Sequence, residues 1–238
     1  MNFNQEQFFE KYNIIKPEFE AAGLSWESLL EIYEEYLNYK ETLKPTAEYI
    51  SNTLRTHPDA HTVRSRIKDP EHLIDKIIRK TIREKEKDSN YKIDINNYKT
   101  EITDLIGIRV LHLYKDQAAH IDGFIRKLWN LKEKCTIYYR EGDYSRKEEH
   151  EDSEYFEFKV HKAGYRSWHY LISTQATKEE NIAEIQVRTI FEEGWSEIDH
   201  QLRYPNDINN MLLTKQLLVL VCLYLGSTLH IVASFKIR

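Results

Sequence analysis

The chain is short of cysteine, glycine and proline, has no dominant sign of charge and no unbroken apolar run, and each scarcity excludes something. Its two cysteines, Cys135 and Cys222, lie far apart and outside any CxxC or metal-ligand spacing. They offer neither a disulfide framework nor a structural zinc site, and they suit a reducing cytoplasm. Seven glycines and five prolines in 238 residues leave no Gly/Ser-rich or Pro-rich linker, so one domain over residues 1–238 is expected. With 34 Lys+Arg against 39 Asp+Glu, a net charge of -5, the whole surface does not attract polyanions. Any phosphate site must come from local basic clusters. The first residues, MNFNQEQFFEKYNIIK, carry acids and a lysine where a secretory signal needs an apolar stretch. Leu217–Phe235 approaches the length of a membrane span, but Gly226, Ser227, Thr228 and His230 interrupt it. A buried helix-turn-helix closing the core is preferred there over a membrane anchor.

What is present divides into three parts: N-terminal helices over 1–60, a central core over 61–204 and C-terminal helices over 205–238. Apolar positions recur at helical spacing through Phe8, Phe9, Tyr12, Trp26, Leu29, Leu30, Tyr33, Tyr36 and Leu37, which predicts two or three helices. Ser25 reads as an N-cap, with Glu27 and Glu31 favoured by the helix dipole. Asp69 followed by Pro70 is a strong helix start, and Leu73, Ile74, Ile77, Ile78 and Ile82 form the buried stripe of the helix that follows. Asp104–Tyr114, YFEFKV, SWHYLIST and IAEIQVRT read as strands, with helices over Gln117–Lys132 and FEEGWSEIDHQLRY. The expected fold is α/β (α+β): a mixed five-stranded sheet flanked by helices.

Three clusters in the core carry chemistry. Arg64, Arg66 and Lys68 alternate in an extended segment just before a helix start, and Lys76, Arg79, Lys80 and Arg83 add cations at helical spacing. Guanidinium forks and ammonium point charges in that arrangement suit a triphosphate, although a solvated basic face would look the same. Asp104 and Glu184 are acids bordering apolar strands, where desolvation is costly without a cation. Together they would make a hard-oxygen site for Mg²⁺; the alternative pairs them with Arg109 and Arg188 as structural ion pairs. In KAGYRSWHYLI, Gly164 permits a close backbone approach, Tyr165 offers a ring for base stacking, and Arg166, Ser167 and His169 offer donors to phosphate.

The segments RSRIKDPEHLIDKIIRK, TDLIGIRVL, GYRSWH, EIQVRT and WSEIDHQLRY, in this order over Val63–Tyr204, resemble the synthetase domain of the RelA/SpoT family. The resemblance implies a nucleotidyltransferase-like fold and transfer of the β,γ-pyrophosphoryl group of ATP to the 3′-hydroxyl of GDP or GTP, making (p)ppGpp. It implies that Arg64, Arg66, Lys68, Lys76 and Arg79 hold ATP, and that Asp104 and Glu184 are the catalytic acids holding Mg²⁺, Glu184 also helping to deprotonate the acceptor. Tyr165 would stack on guanine, while Lys162, Ser167, His169, Arg188 and His200 would position acceptor phosphates and ribose. Where the family often has Gly-Arg and a serine, this chain has Ser65-Arg66 and His72, which implies a stiffer donor loop; on the acceptor side Lys162 lies two residues before Gly164, with His161 where the family's lysine usually stands. No His-Asp pair of the family's hydrolase kind precedes these motifs, so a small member that synthesises without degrading is expected.

Two other readings stand beside this one. Some small members are toxins that pyrophosphorylate the 3′ end of tRNA; the same residues would serve, RKTIREKEK could supply tRNA phosphate contacts, and an antitoxin would then be a partner. A catalytically silent nucleotide-binding module is the other. The resemblance also suggests a cytoplasmic homo-oligomer with no membrane partner.

Overall fold

Asp69 and Pro70 do what their chemistry suggests. The Asp69 carboxylate accepts from the backbone N–H of Glu71 at 2.9 Å and of His72 at 3.2 Å, Pro70 occupies a first-turn position, and helix α4 runs Pro70–Lys85. Three helices precede it: α1 (Gln5–Tyr12), α2 (Lys16–Ala21) and α3 (Trp26–Arg55). Ser25 caps α3, its hydroxyl accepting from Ser28 N–H at 3.3 Å. The computed structural model describes residues 4–140, 143, 154–161, 164–176 and 178–203, with side chains through 198. Lys162, Cys222, the His200 side chain and the helices expected over 205–238 lie outside the described residues.

Among the described residues the expected five strands are seven: β1 (Thr62–Ile67), β2 (Ile106–His112), β3 (Asn130–Leu131), β4 (Cys135–Tyr139), β5 (Phe156–Val160), β6 (Ser167–Thr174) and β7 (Asn181–Thr189). The count differs for physical reasons. β1 carries Arg64 and Arg66 on one face and so lacks an apolar signature. The helix expected to reach Lys132 is α6 (Gln117–Leu128); Trp129 is extended, and the chain after it forms the two-residue strand β3. A short helix, α5 (Tyr98–Glu101), sits in the polar connector before β2, and α7 (Ile190–Arg203) follows β7 directly. Strand β2 itself is shorter than expected, beginning two residues after Asp104.

The sheet order is β1-β2-β7-β6-β4-β5, with β3 also pairing β6. β2 and β7 are parallel, as are β4 and β5, and the other neighbours are antiparallel, so the sheet is mixed as expected. Strand alternation sorts its two faces. Ile106, Ile108, Val110, Ala183, Ile185, Val187, Tyr170 and Ile172 are buried on one side, where α3 crosses β1, β2 and β7. Each isoleucine or valine among them contributes about 1.5–3 kcal/mol by leaving water. Tyr36 of α3 is fully buried and donates to the Lys68 carbonyl at 2.9 Å, which fixes the corner between β1 and α4. The other face is polar: register aligns Arg64 with Arg109, Gln186 and His169, and Arg66 with Gly107 and Glu184. No helix among the described residues is long and apolar enough to cross a membrane.

Candidate active site

The polar face holds a cleft of about 140 Å³ lined by Arg64, Arg66, Gly107, Arg109, Glu184 and Gln186, among others. Gly107 leaves its floor open: a Cβ there would stand 3.4 Å from Arg66 Cγ. Arg64 and Arg66 share this face, as their alternation implies. Lys68 does not join them. It lies beyond the end of β1, 8% exposed, with its Nζ 2.6 Å from Asp104 Oδ2, and Lys76 of α4 approaches Asp104 Oδ1 at 2.9 Å. Burial pushes the Asp104 carboxyl up, but the two ammonium groups outweigh it and hold it below the usual carboxylate range. The Lys68 ammonium is in turn pushed down by burial against the pull of Asp104. Arg79, one turn beyond Lys76, forks onto the Asp75 carboxylate, with contacts at 2.6 and 3.0 Å.

Glu184 lies opposite Gly107 on the neighbouring parallel strand. Burial is the largest influence and raises its carboxyl, with the charge of Asp104 adding to it, but the hydrogen bond and charge of His169 and the hydrogen bond from Gln186 together outweigh them, and the net position is below the usual range. Both acids are therefore ionised at neutral pH. Neither pairs with Arg109 or Arg188, the alternative that the sequence left open. Those two arginines meet at Glu193 of α7 instead.

Glu184 is tied to Tyr165 and Arg188 through a closed ring of hydrogen bonds. His169 Nδ1 donates to Glu184 Oε1 at 3.1 Å, since a carboxylate only accepts; in the neutral ring Nε2 then accepts from the Tyr165 hydroxyl at 3.0 Å. Arg188 Nη1 donates to Tyr165 Oη at 3.2 Å, Arg188 Nη2 to Gln186 Oε1 at 3.0 Å, and Gln186 Nε2 to Glu184 Oε2 at 2.8 Å. Every donor in the ring meets an acceptor. The Tyr165 ring lies among Tyr138, His161 and His169 with centroids 5.4–5.9 Å away. Gly164, at φ +76°, turns the chain into β6 in a conformation that favours glycine.

Beside this loop a second cavity, about 210 Å³, is lined by His112, Lys115, Tyr138, Arg166, Ser167 and Arg188, among others. Arg166 grips Asp143 through two contacts, 2.5 and 2.7 Å. Ser167 is buried and its hydroxyl donates to the Val187 carbonyl at 3.3 Å. Cys135 is buried with its thiol pushed up by desolvation to about 12, so it offers no thiolate nucleophile. Among the described residues no three metal-ligating side chains converge. Two half-buried carboxylates, Glu184 lining the cleft and Asp104 near enough for its charge to reach it, still fit a hard divalent cation, which would complete its shell with water and substrate phosphate.

Sequence reasoning missed Glu193, Gln186 and Tyr138. Glu193 had a usable signal: arginines on strands that border a core require a buried acid nearby.

A mixed sheet with a row of arginines and the ionised Glu184 on one face, and the ionised Asp104 nearby, has a charge pattern compatible with phosphate groups. The chain belongs to the RelA/SpoT family: the region found in RelA / SpoT proteins matches residues 65–209. It is 24% identical over 198 residues to GTP pyrophosphokinase YwaC of Bacillus subtilis (strain 168), covering 79% of this chain and 80% of that protein. Its fold is similar to that of small alarmone synthetase 1 from Bacillus subtilis bound to its product pppGpp (TM-score 0.58, 17% identity, 86% of this chain and 100% of that one). The same synthetase bound to AMPCPP gives a TM-score of 0.53 at 19% identity, covering 90% and 98% of the two chains. A GTP pyrophosphokinase family protein from Streptococcus pneumoniae gives 0.51 at 18% identity, covering 99% and 96%.

Proposed function

We propose that this chain is a cytoplasmic, single-domain pyrophosphokinase that moves the β,γ-pyrophosphoryl group of ATP to the 3′-hydroxyl of GDP or GTP. The observation that carries this reading is the position of Glu184: it borders the arginine-lined cleft and closes the ring that holds Tyr165. Family membership and the activity named for YwaC support it.

In this reading Arg64 and Arg66 hold the ATP phosphates in the cleft, with Lys68, Lys76 and Arg79 on the α4 side. Asp104 and Glu184 hold Mg²⁺, which supplies charge neutralisation on the phosphates. Lys68 and Lys76 neutralise Asp104. Tyr165 stacks on the guanine, and its hydroxyl, fixed by Arg188 and His169, sets the angle of the ring. Glu184, kept ionised, accepts the hydrogen bond of the 3′-hydroxyl and takes its proton as the new bond forms. Ser167 and His169 shape the acceptor loop, and Lys162 and His200 stay with the acceptor as the resemblance implies. Transfer of this kind needs in-line positioning and electrostatic stabilisation and no covalent intermediate.

A tRNA acceptor would need free cations beyond the donor site. The described cations of RKTIREKEK mostly have acid partners: Arg79 with Asp75, Lys80 with Glu101, and Arg83 and Lys87 with Glu84. That favours the nucleotide acceptor. Incubation with labelled ATP, Mg²⁺ and, in parallel, GDP, GTP or deacylated tRNA tests the reading. Label on the guanine nucleotide is expected; label on tRNA alone would make the protein a translation-blocking toxin, and no AMP release would make it a silent binding module.

A further inference from the structure

We infer that Glu193 is a positioning residue for the acceptor: its carboxylate, reaching in from α7, sets Arg188 and, through Arg188, the Tyr165 hydroxyl.

Glu193 is 5% exposed, and each of its oxygens serves a different strand. Oε1 accepts from Arg109 Nη1 of β2 at 2.8 Å, and Oε2 lies 2.9 Å from Arg188 Nε of β7. Arg188 is 2% exposed, and its charge needs a buried partner to be tolerated there. Two nitrogens of its guanidinium donate hydrogen bonds, Nη1 to Tyr165 and Nη2 to Gln186, while Nε stands 2.9 Å from Glu193 Oε2 as an ion pair outside hydrogen-bond geometry. The two hydrogen bonds set the plane of the group, and Glu193 is the only one of the three partners that carries opposite charge and so supplies the close charge contact that holds it there. The guanidinium carbon also stands 5.4 Å from the Tyr165 ring centroid. Loss of the Glu193 charge frees Arg188 to rotate, and with it the donor that fixes the Tyr165 hydroxyl.

Arg109, which lines the donor cleft, has a second acid: Glu197, one turn further along α7, also bonds its Nη1. Arg188 has no such reserve in these contacts. Removing Glu193 should therefore fall on the acceptor side and spare the donor side. This asymmetry separates a positioning role from simple support of the fold.

The inference rests on the reading of Tyr165 as the acceptor's stacking platform, and the test separates the two. KM for ATP and for the acceptor is measured for the wild-type protein, Glu193→Gln, Tyr165→Phe and the double variant, using whichever acceptor takes the label. Glu193→Gln should raise acceptor KM about tenfold, the effect of losing one close charge contact to Arg188, with ATP KM within about twofold. Tyr165→Phe keeps the ring and removes the hydroxyl through which Glu193 acts, so adding Glu193→Gln to it should change acceptor KM little further. Glu193→Asp should recover part of the loss. Equal losses for both substrates, or an undiminished effect in the Tyr165→Phe background, would overturn the inference. If Glu193→Gln does not fold, Tyr165→Phe alone decides: an acceptor KM equal to wild type would refute the link. Failure of the stacking reading looks different, because Tyr165→Ala would then leave acceptor KM unchanged.

Discussion

Replacing Asp104 with asparagine should destabilise the protein by about 3 kcal/mol at neutral pH, quite apart from its effect on activity. Asp104 stands between Lys68 and Lys76, at 2.6 and 2.9 Å, and its side chain is 12% exposed. Breaking a buried ion pair by removing one partner costs about 3–5 kcal/mol, because the charge left behind has lost both water and partner. The Lys76 side chain is 35% exposed and can turn to solvent, so it adds little; Lys68, 8% exposed, cannot. Asparagine also keeps an oxygen able to accept from Lys68, which puts the expected loss at the lower end. Lys68 is already pushed down by burial, and without Asp104 it is pushed further. Its folded value then lies below its unfolded value of about 10.4, so the penalty is complete at low pH and shrinks as pH rises between the two. Urea unfolding followed by tryptophan fluorescence at pH 7 and pH 10 measures both effects. Adding Lys68→Met to Asp104→Asn should recover most of the lost stability. A variant within about 0.5 kcal/mol of wild type, or a loss of equal size at both pH values, would refute the reasoning.

Two further outcomes follow from the cleft and the loop. Tyr165→Ala should raise acceptor KM about 5- to 150-fold, the range of one lost base-stacking contact, and leave ATP KM nearly unchanged; equal losses in steady-state kinetics would misplace the stacking role. Arg66→Ala should raise ATP KM about tenfold, since one charged hydrogen bond to phosphate is removed, and an unchanged value would move the donor site away from the cleft beneath β1.

Much of the fold could be read in the sequence wherever a local signal and the tertiary structure agree. Asp69 and Pro70 start α4, Ser25 caps α3, and the alternation of SWHYLIST and IAEIQVRT marks two central strands. The signal fails where burial is decided by distant partners. β1 displays arginines because its outer face lines a cleft, and β4, with its short CTIYY sequence, takes its place from pairing with β5 and β6. The site divides in the same way. Asp104, Glu184 and Tyr165 stand out as residues, yet which cation meets which acid depends on α4 and α7 folding back over the sheet. That folding gives Asp104 to Lys68 and Lys76, and Arg109 and Arg188 to Glu193. The resemblance assigned five cations to ATP; the fold sets two of them, Lys68 and Lys76, against Asp104.

The central claim is that Glu184 and the cleft beside it transfer pyrophosphate from ATP to a guanosine nucleotide. Its most direct test is AMP release and label transfer to GDP, measured side by side for wild type and Glu184→Gln, with ATP binding measured on both. The account predicts one AMP for each 3′-pyrophosphorylated guanine nucleotide in the wild type, and a rate at least about a hundredfold lower in the variant with ATP binding retained. Undiminished transfer by Glu184→Gln would contradict it.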